Sequence, residues 1–252
     1  MRFDNDTWLA GVMGRACWKV LDLGTNDTVS DIGKELRERS ENAPSFFFAK
    51  IPTRDVVTLK NATQSGFAVV DVNVTFDWLA TAETKTRENG RGDGTTVAVA
   101  TPEDADGIEG IAAQCFTYSR FHLDPKIQVN VANDIKRAWA RNALAGRAAE
   151  IYIARQNGNV GGFLAVLETK SPSGSDAIID LVGVDAKYQG KGAGRALSEM
   201  FIDRWKDRAS RLRVGTQISN IPAIRLYESL GFRVTETAYV LHAHTSNGEI
   251  VA

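Results

Sequence analysis

Apolar residues recur along the second half of the chain in two periods. Val131, Ile135, Ala138, Trp139 and Leu144 return every few positions and predict a helix over 131–145, with a shorter one over 108–116. Segments 150–155 and 160–168 alternate or run apolar around Asn157-Gly158-Asn159, a hairpin signal, and 177–184 predicts a further strand. An amphipathic helix follows over 195–208. Then come a strand over 212–217, a helix over 221–230 stopped by Gly231, and a strand over 232–242. Helices and strands alternate, so the expected class is α/β (α+β).

Between Trp78 and Thr96 the pattern lapses into TAETKTRENGRGDGTT, polar, charged and nearly free of large apolar residues. This predicts a linker at 81–95 between a smaller domain, 1–80, and a larger one, 96–252. The larger one opens with a strand over 96–100 and the helix start Thr101-Pro102-Glu103-Asp104. Laid over one another by Gly66-Phe67 and Gly231-Phe232, the two stretches echo each other. Strand 46–49, helix 53–64 and strand 67–76 match, in order, the elements of 212–242. The smaller domain reads as a partial copy of the larger.

Composition narrows the partners. The 252 residues include 30 basic and 31 acidic side chains, a formal charge of -1, so no global positive field draws the chain to nucleic acid or to an anionic membrane. No run approaches the ~18 apolar residues of a membrane helix. The opening MRFDNDTWLA lacks a signal-peptide core. Cys17 and Cys115 offer neither a disulfide framework nor zinc spacing, so reduced thiols, a cytoplasmic location and no metal are expected. A homodimer is left open.

The chemistry gathers after the strand Ile178 to Val184. There Asp185-Ala186-Lys187-Tyr188 leads into Gln189-Gly190-Lys191-Gly192-Ala193-Gly194 and an amphipathic helix opening at Arg195. Glycines at a strand-to-helix turn let the backbone approach an anion. Free amides at the helix start, the helix dipole, Lys191 and Arg195 would then cradle a pyrophosphate. Glycines in such turns also serve backbone geometry alone. The turn lacks the Gly-Lys-Ser/Thr end of a phosphate-binding Walker loop and is no dinucleotide fingerprint.

Gln189-x-x-Gly192-x-Gly194, preceded by Val182-Gly183-Val184 and followed by Asn220 and Ala223-x-x-Leu226-Tyr227-x-x-x-Gly231-Phe232, resembles the GNAT superfamily of N-acetyltransferases. The resemblance covers about 96–242. It implies a mixed sheet splayed open, with a smaller partial-GNAT-like domain in front. Acetyl-CoA would lie in the gap, its pantetheine on the backbone of Val182, Gly183 and Val184 and its pyrophosphate on Gln189, Gly190, Lys191, Gly192, Ala193, Gly194 and Arg195. It further implies that Asn220 contacts the cofactor arm and that Tyr227 gives a proton to the departing thiolate. A phenol is protonated at neutral pH and suits that task. Without the motif, Tyr227 reads as a core aromatic.

The acceptor amine must lose a proton, and two residues compete for that work. Asp180 shares the facing parity of Val182 and Val184 unless a bulge turns it away, and reads equally as a paired strand carboxylate. His122 lies in Ser119-Arg120-Phe121-His122-Leu123-Asp124-Pro125, over the expected acceptor site, and reads equally as structural. That loop, with Trp139 and Asn142 downstream and Phe47-Phe48-Ala49-Lys50-Ile51-Pro52 upstream, is similar to the TDP-fucosamine acetyltransferases. The similarity implies a small-molecule amine acceptor, an amino sugar or TDP-amino sugar, contacted by Arg120 and His122; the alternatives are an antibiotic amine, an amino acid or a protein N-terminus as acceptor, or a non-catalytic CoA-binding module. Asp6 to Val12 departs from that family's more aromatic opening.

Overall fold

The computed structural model describes residues 1–79, 95–156, 158–171 and 174–251. Its strands are β1 (Arg2–Asn5), β2 (Ala16–Leu21), β3 (Ser45–Pro52), β4 (Ala68–Trp78), β5 (Thr96–Val99), β6 (Glu150–Gln156), β7 (Asn159–Ser171), β8 (Gly174–Val184), β9 (Arg211–Gln217), β10 (Phe232–Ser246) and β11 (Glu249–Ile250). The helices are α1 (Thr7–Met13), α2 (Val29–Glu38), α3 (Val56–Gln64), α4 (Ala105–Ala112), α5 (Arg120–Leu123), α6 (Val129–Asn142), α7 (Ala193–Trp205) and α8 (Ile221–Ser229). None of the helices described is long and apolar enough to cross a membrane.

All the strands join one mixed sheet ordered β1-β2-β3-β10-β4-β9-β8-β7-β6-β5, with β11 on β10. The division expected at 81–95 does not separate two sheets. β4 from the first stretch lies between β9 and β10 of the second, and β10 lies between β3 and β4. The linker itself, apart from Thr95, lies outside the described residues.

Read from either end toward β10 and β4, the sheet repeats itself. β2 and β3 pair in parallel across α2, as β8 and β9 do across α7. The units β3-α3-β4 and β9-α8-β10 then exchange their last strands. Their caps agree in detail: Asp55 accepts from the Thr58 N–H (3.1 Å) and Asn220 from the Ala223 N–H (3.3 Å). Gly66 (φ 106°) and Gly231 (φ 92°) both hold left-handed backbone after the helix.

Strand alternation sorts the core into two faces. On β10, Leu241 and Ala243 join Phe47, Ala49 and Ile32 under α2 and α3. On β4, Val74 and Phe76 join Leu197, Phe201 and Tyr227 under α7 and α8. The opposite face carries α1, α4, α5 and α6 over Phe46, Phe48, Phe163 and Leu181, with Trp139 packed against both of its clusters.

Candidate active site

β8 and β9 pair from Asp176–Arg211 to Ile179–Val214 and then part, although β8 continues to Val184 and β9 to Gln217. β7 meanwhile stays paired with β8, through one bulge, as far as Gly162–Val184. The Asp185 N–H donates to the Gly161 carbonyl (2.9 Å). Antiparallel alternation from that pair turns the backbone groups of Val182 and Val184 away from β7 and into the gap. Gly183 lies between them because the other face is crowded. A Cβ there would stand 2.6 Å from Cys115 Sγ and 2.8 Å from the Phe163 ring.

The turn beyond β8 is held from below. Asp185 caps a short 3-10 turn by accepting from the Lys187 N–H (2.8 Å), and Gln189 Nε2 donates to the Val184 carbonyl (3.1 Å). Gly190 (φ 75°) and Gly192 (φ 84°) take left-handed backbone, and a Cβ at either meets nothing within 4 Å. Their surroundings are open. Gly192 caps α7 without any side-chain hydrogen bond, and the first turn holds no acidic residue. The amides of Ala193, Gly194 and Arg195 are therefore without helical partners, at the positive end of the dipole. Lys191 Nζ stands 5.6 Å from the Tyr188 ring centre. Arg195 is corrected in part: its guanidinium runs back to Ser229 Oγ (2.6 Å) and Glu199 (3.4 Å), tying α7 to α8 rather than reaching the turn.

Asn220 spends its carbonyl oxygen on the cap of α8. Tyr227, two turns along that helix, is buried against Phe76 and Phe232 at ring distances of 5.9 and 5.8 Å. Burial pushes its phenol above the ordinary range. Among the described residues the hydroxyl has no hydrogen-bond partner, so its proton is uncommitted.

Both proposed bases are corrected. Ala165 pairs with Leu181 and Val166 with Ile179, so Asp180 is the extra residue of a bulge. The bulge breaks the parity shared with Val182 and Val184. Asp180 meets α6 instead, accepting from Trp139 Nε1 (2.8 Å) and pairing with Arg147, which a π turn after α6 presents. His122 has both ring nitrogens occupied, by Ser119 Oγ (2.6 Å) and by Asn133 Oδ1 (2.9 Å), and clamps α5 to α6. Neither nitrogen is free for an acceptor.

Arg120 is held in place by a network that sequence reading missed. Its guanidinium lies 4.2 Å from the Phe48 ring centre and 4.4 Å from that of Phe121, and Nη1 donates to His242 Nε2 (3.3 Å). That bond leaves His242 Nδ1 protonated, to donate to Asp124 Oδ2 (2.7 Å). The same oxygen accepts from His244 Nε2 (2.8 Å). Burial holds His242 down at about 4, and the two imidazoles hold the Asp124 carboxyl well below its usual range. These three buried side chains have ligand atoms within 4.8 Å of one another. The bond directions make them a hydrogen-bonded support for Arg120. Alternation at His242 and His244 was a signal; their partner, 118 and 120 residues earlier, was not.

A family model for the acetyltransferase (GNAT) family matches residues 111–232, from α4 through the opened strands and the glycine turn to the start of β10. The chain carries a GNAT acetyltransferase domain. It is 36% identical over 142 residues to the spore coat polysaccharide biosynthesis protein SpsD of Bacillus subtilis, a match covering 56% of this chain and 48% of that one. It is 26% identical to a dTDP-fucosamine acetyltransferase of Escherichia coli, over 89% of this chain and 95% of that one. Among solved structures, a GCN5-related N-acetyltransferase from Kribbella flavida shares the fold, with a TM-score of 0.58 and 14% identity over 95% of this chain and 83% of that one. The chain thus spans about half of the first relative and nearly all of the second. The expected GNAT fold is the one observed.

Proposed function

We propose that this chain moves an acetyl group from acetyl-CoA to a primary amine on a small acceptor, an amino sugar or nucleotide-linked amino sugar. The observation that carries the reading is the parting of β8 from β9 beside an uncapped helix start. Backbone groups of Val182 and Val184 face the opening there, the Val184 carbonyl also accepting from Gln189, and the amides of 193–195 wait at its end. Both halves of the site suit an extended thioester carrier with a pyrophosphate. Acetyl-CoA, when bound, supplies an acetyl group activated by its thioester.

The chain's own residues do the rest. Val182 and Val184 orient the arm, Gly190 and Gly192 let the turn close on the phosphates, and Asn220 keeps Nδ2 for the arm. Tyr227 holds a proton at Oη for the leaving sulfur. Asp180, fixed by Trp139 and Arg147, shapes the wall of the acceptor cleft rather than taking the amine's proton. The amino-sugar acceptor is supported by the two relatives, a spore coat polysaccharide biosynthesis protein and a dTDP-fucosamine acetyltransferase. The test is release of free CoA from acetyl-CoA with a panel of TDP-amino sugars, free amino sugars, amino acids and N-terminal peptides. Turnover on sugars above the rest supports the reading, and no release above background with any amine refutes it.

A further inference from the structure

Tyr227 serves the departing sulfur, but the incoming amine must also lose a proton, and Asp180 and His122 are both committed elsewhere. The face of the sheet that holds Tyr227 is packed core under α7 and α8. An acceptor therefore reaches the opened edge of β8 from the other face, where α4, α5 and α6 lie.

On that face Lys136 of α6 is buried, only 9% exposed. Its Nζ lies 4.6 Å from the Phe116 ring centre and 4.7 Å from that of Trp139, one turn further along α6. Both rings are anchored on β8. Trp139 Nε1 donates to Asp180 (2.8 Å), and Cys115, next to Phe116, packs so closely on Gly183 that a Cβ there would stand 2.6 Å from Sγ. Contacts on both flanks thus hold the Lys136 amine over residues 180–183, the stretch where β8 bulges and has parted from β9.

Among the described residues Nζ makes no hydrogen bond and no ion pair within 4 Å. The charged and titratable groups facing it are Arg120 and His122 of α5, Cys115 after α4, and Asp180 of β8, whose carboxylate is paired with Arg147. Two aromatic walls replace the water an ammonium prefers. Burial first, and Arg120 second, bring the amine down to about 8. A lysine so placed has a free lone pair in part of the molecules at neutral pH, and a basicity near that of the aliphatic amine it would deprotonate.

We propose that Lys136 is the general base of the transfer, taking the proton of the acceptor ammonium at Nζ. This rests on the acetyltransferase reading. One N–H proton passes to the neutral Nζ, and the freed lone pair forms the C–N bond to the acetyl carbonyl carbon. The C–S bond breaks with its electron pair on sulfur, which takes the Tyr227 proton. The surplus proton on the new amide nitrogen restores the phenol, and Nζ releases its own to solvent.

The experiment is kcat against pH, between about pH 6 and 9.5, for the full chain at saturating acetyl-CoA and saturating dTDP-fucosamine, or whichever amine of the panel turns over fastest. Wild type is expected to gain rate through about pH 8 and then level off. Lys136→Arg keeps a cation against the two rings but cannot give up its proton. Its kcat should fall about 100-fold near neutral pH, the effect of losing a placed base, and should still be climbing at the alkaline end. Lys136→Gln should lose as much, with acetyl-CoA affinity unchanged in both. A role in packing or charge alone leaves Lys136→Arg near the wild-type rate. That retention, or the same midpoint in Lys136→Arg and wild type, overturns the inference while acetyl transfer stands. A flat wild-type profile overturns it with no variant needed, so a variant that fails to fold leaves the test intact. If no amine is acetylated, the transferase reading falls and takes the inference with it.

Discussion

Replacing Tyr227 by Phe should separate stability from catalysis. The hydroxyl makes no hydrogen bond among the described residues, so its removal breaks none. The ring keeps its contacts with Phe76 and Phe232. Since the hydroxyl gives up no protein hydrogen bond among the described residues, Tyr227→Phe should leave the unfolding free energy within about 1 kcal/mol of wild type. Turnover should instead fall by roughly tenfold to a thousandfold, about 1.4 to 4 kcal/mol of barrier, the range for losing a placed general acid. Because burial moves the phenol up, the acting form is the protonated one across pH 6 to 9, and no alkaline loss of rate in that window should trace to Tyr227. The assays are urea unfolding and free-thiol release at saturating acetyl-CoA, with acetyl-CoA affinity as the control. An unchanged rate, or a stability loss well above 1 kcal/mol, would refute the assignment.

Gly192→Ala adds a Cβ that meets nothing, so its cost is the left-handed backbone alone, about 1–2 kcal/mol by urea unfolding. Acetyl-CoA affinity should fall with it as the turn relaxes. Gly183→Ala drives a methyl into Cys115 and Phe163 and should destabilise by about 1–3 kcal/mol, and a second change, Cys115→Ala, should return much of that loss. Asp71, lifted to about 6 by burial, binds its proton more tightly folded than unfolded. It therefore costs stability increasingly as pH rises from about 4 to 6, and Asp71→Asn should raise the melting temperature at pH 7 but not below pH 4. His242, lowered to about 4, is held neutral in the fold, so its contribution is present above about pH 6.5 and lost as pH falls toward 4. His242→Gln should flatten that limb of the stability curve.

Much of the second half was legible because its signals are local. Glycines fix a turn, a capping Asn and a following Pro start a helix, and alternation marks a strand whatever lies beside it. The first 45 residues yielded little, although Thr28 and Asp31 form a capping box before Ile32 and Leu36. Partnership was not legible. A strand pattern at 67–76 says that β4 exists, but nothing in it says that β4 enters between β9 and β10. Parity failed at Asp180 for a related reason. One added residue opposite Ala165 and Val166 moves a side chain to the other face, and alternation carries no mark of where that residue is added. Arg120, Asp124 and His242 were unrelated positions until α5 was packed onto β10.

The internal repeat accounts for the proposed cofactor site having no second copy among the described residues. β2 pairs with β3 from Ala16–Ser45 to Val20–Ala49, nearly its whole length, so the strand backbone that β8 leaves open is filled in the first copy. The α2 start is closed as well. Thr28 caps the Asp31 amide, and the Asp31 carboxylate returns to Thr28, placing a negative charge where α7 offers bare amides to an anion. The aligned helices put Ala62, seven residues after its cap, where α8 has Tyr227, seven after Asn220. No single substitution would reopen the first copy, because the gap, the anion cradle and the proton donor are each missing for a separate reason. What that copy supplies instead is framework: β4 pairs with β9, the strand at the opening, and β3 carries Phe48 beneath Arg120. The β2–β3 pairing that leaves no opening in the first copy is thus also what sets Phe48 of β3 beneath Arg120.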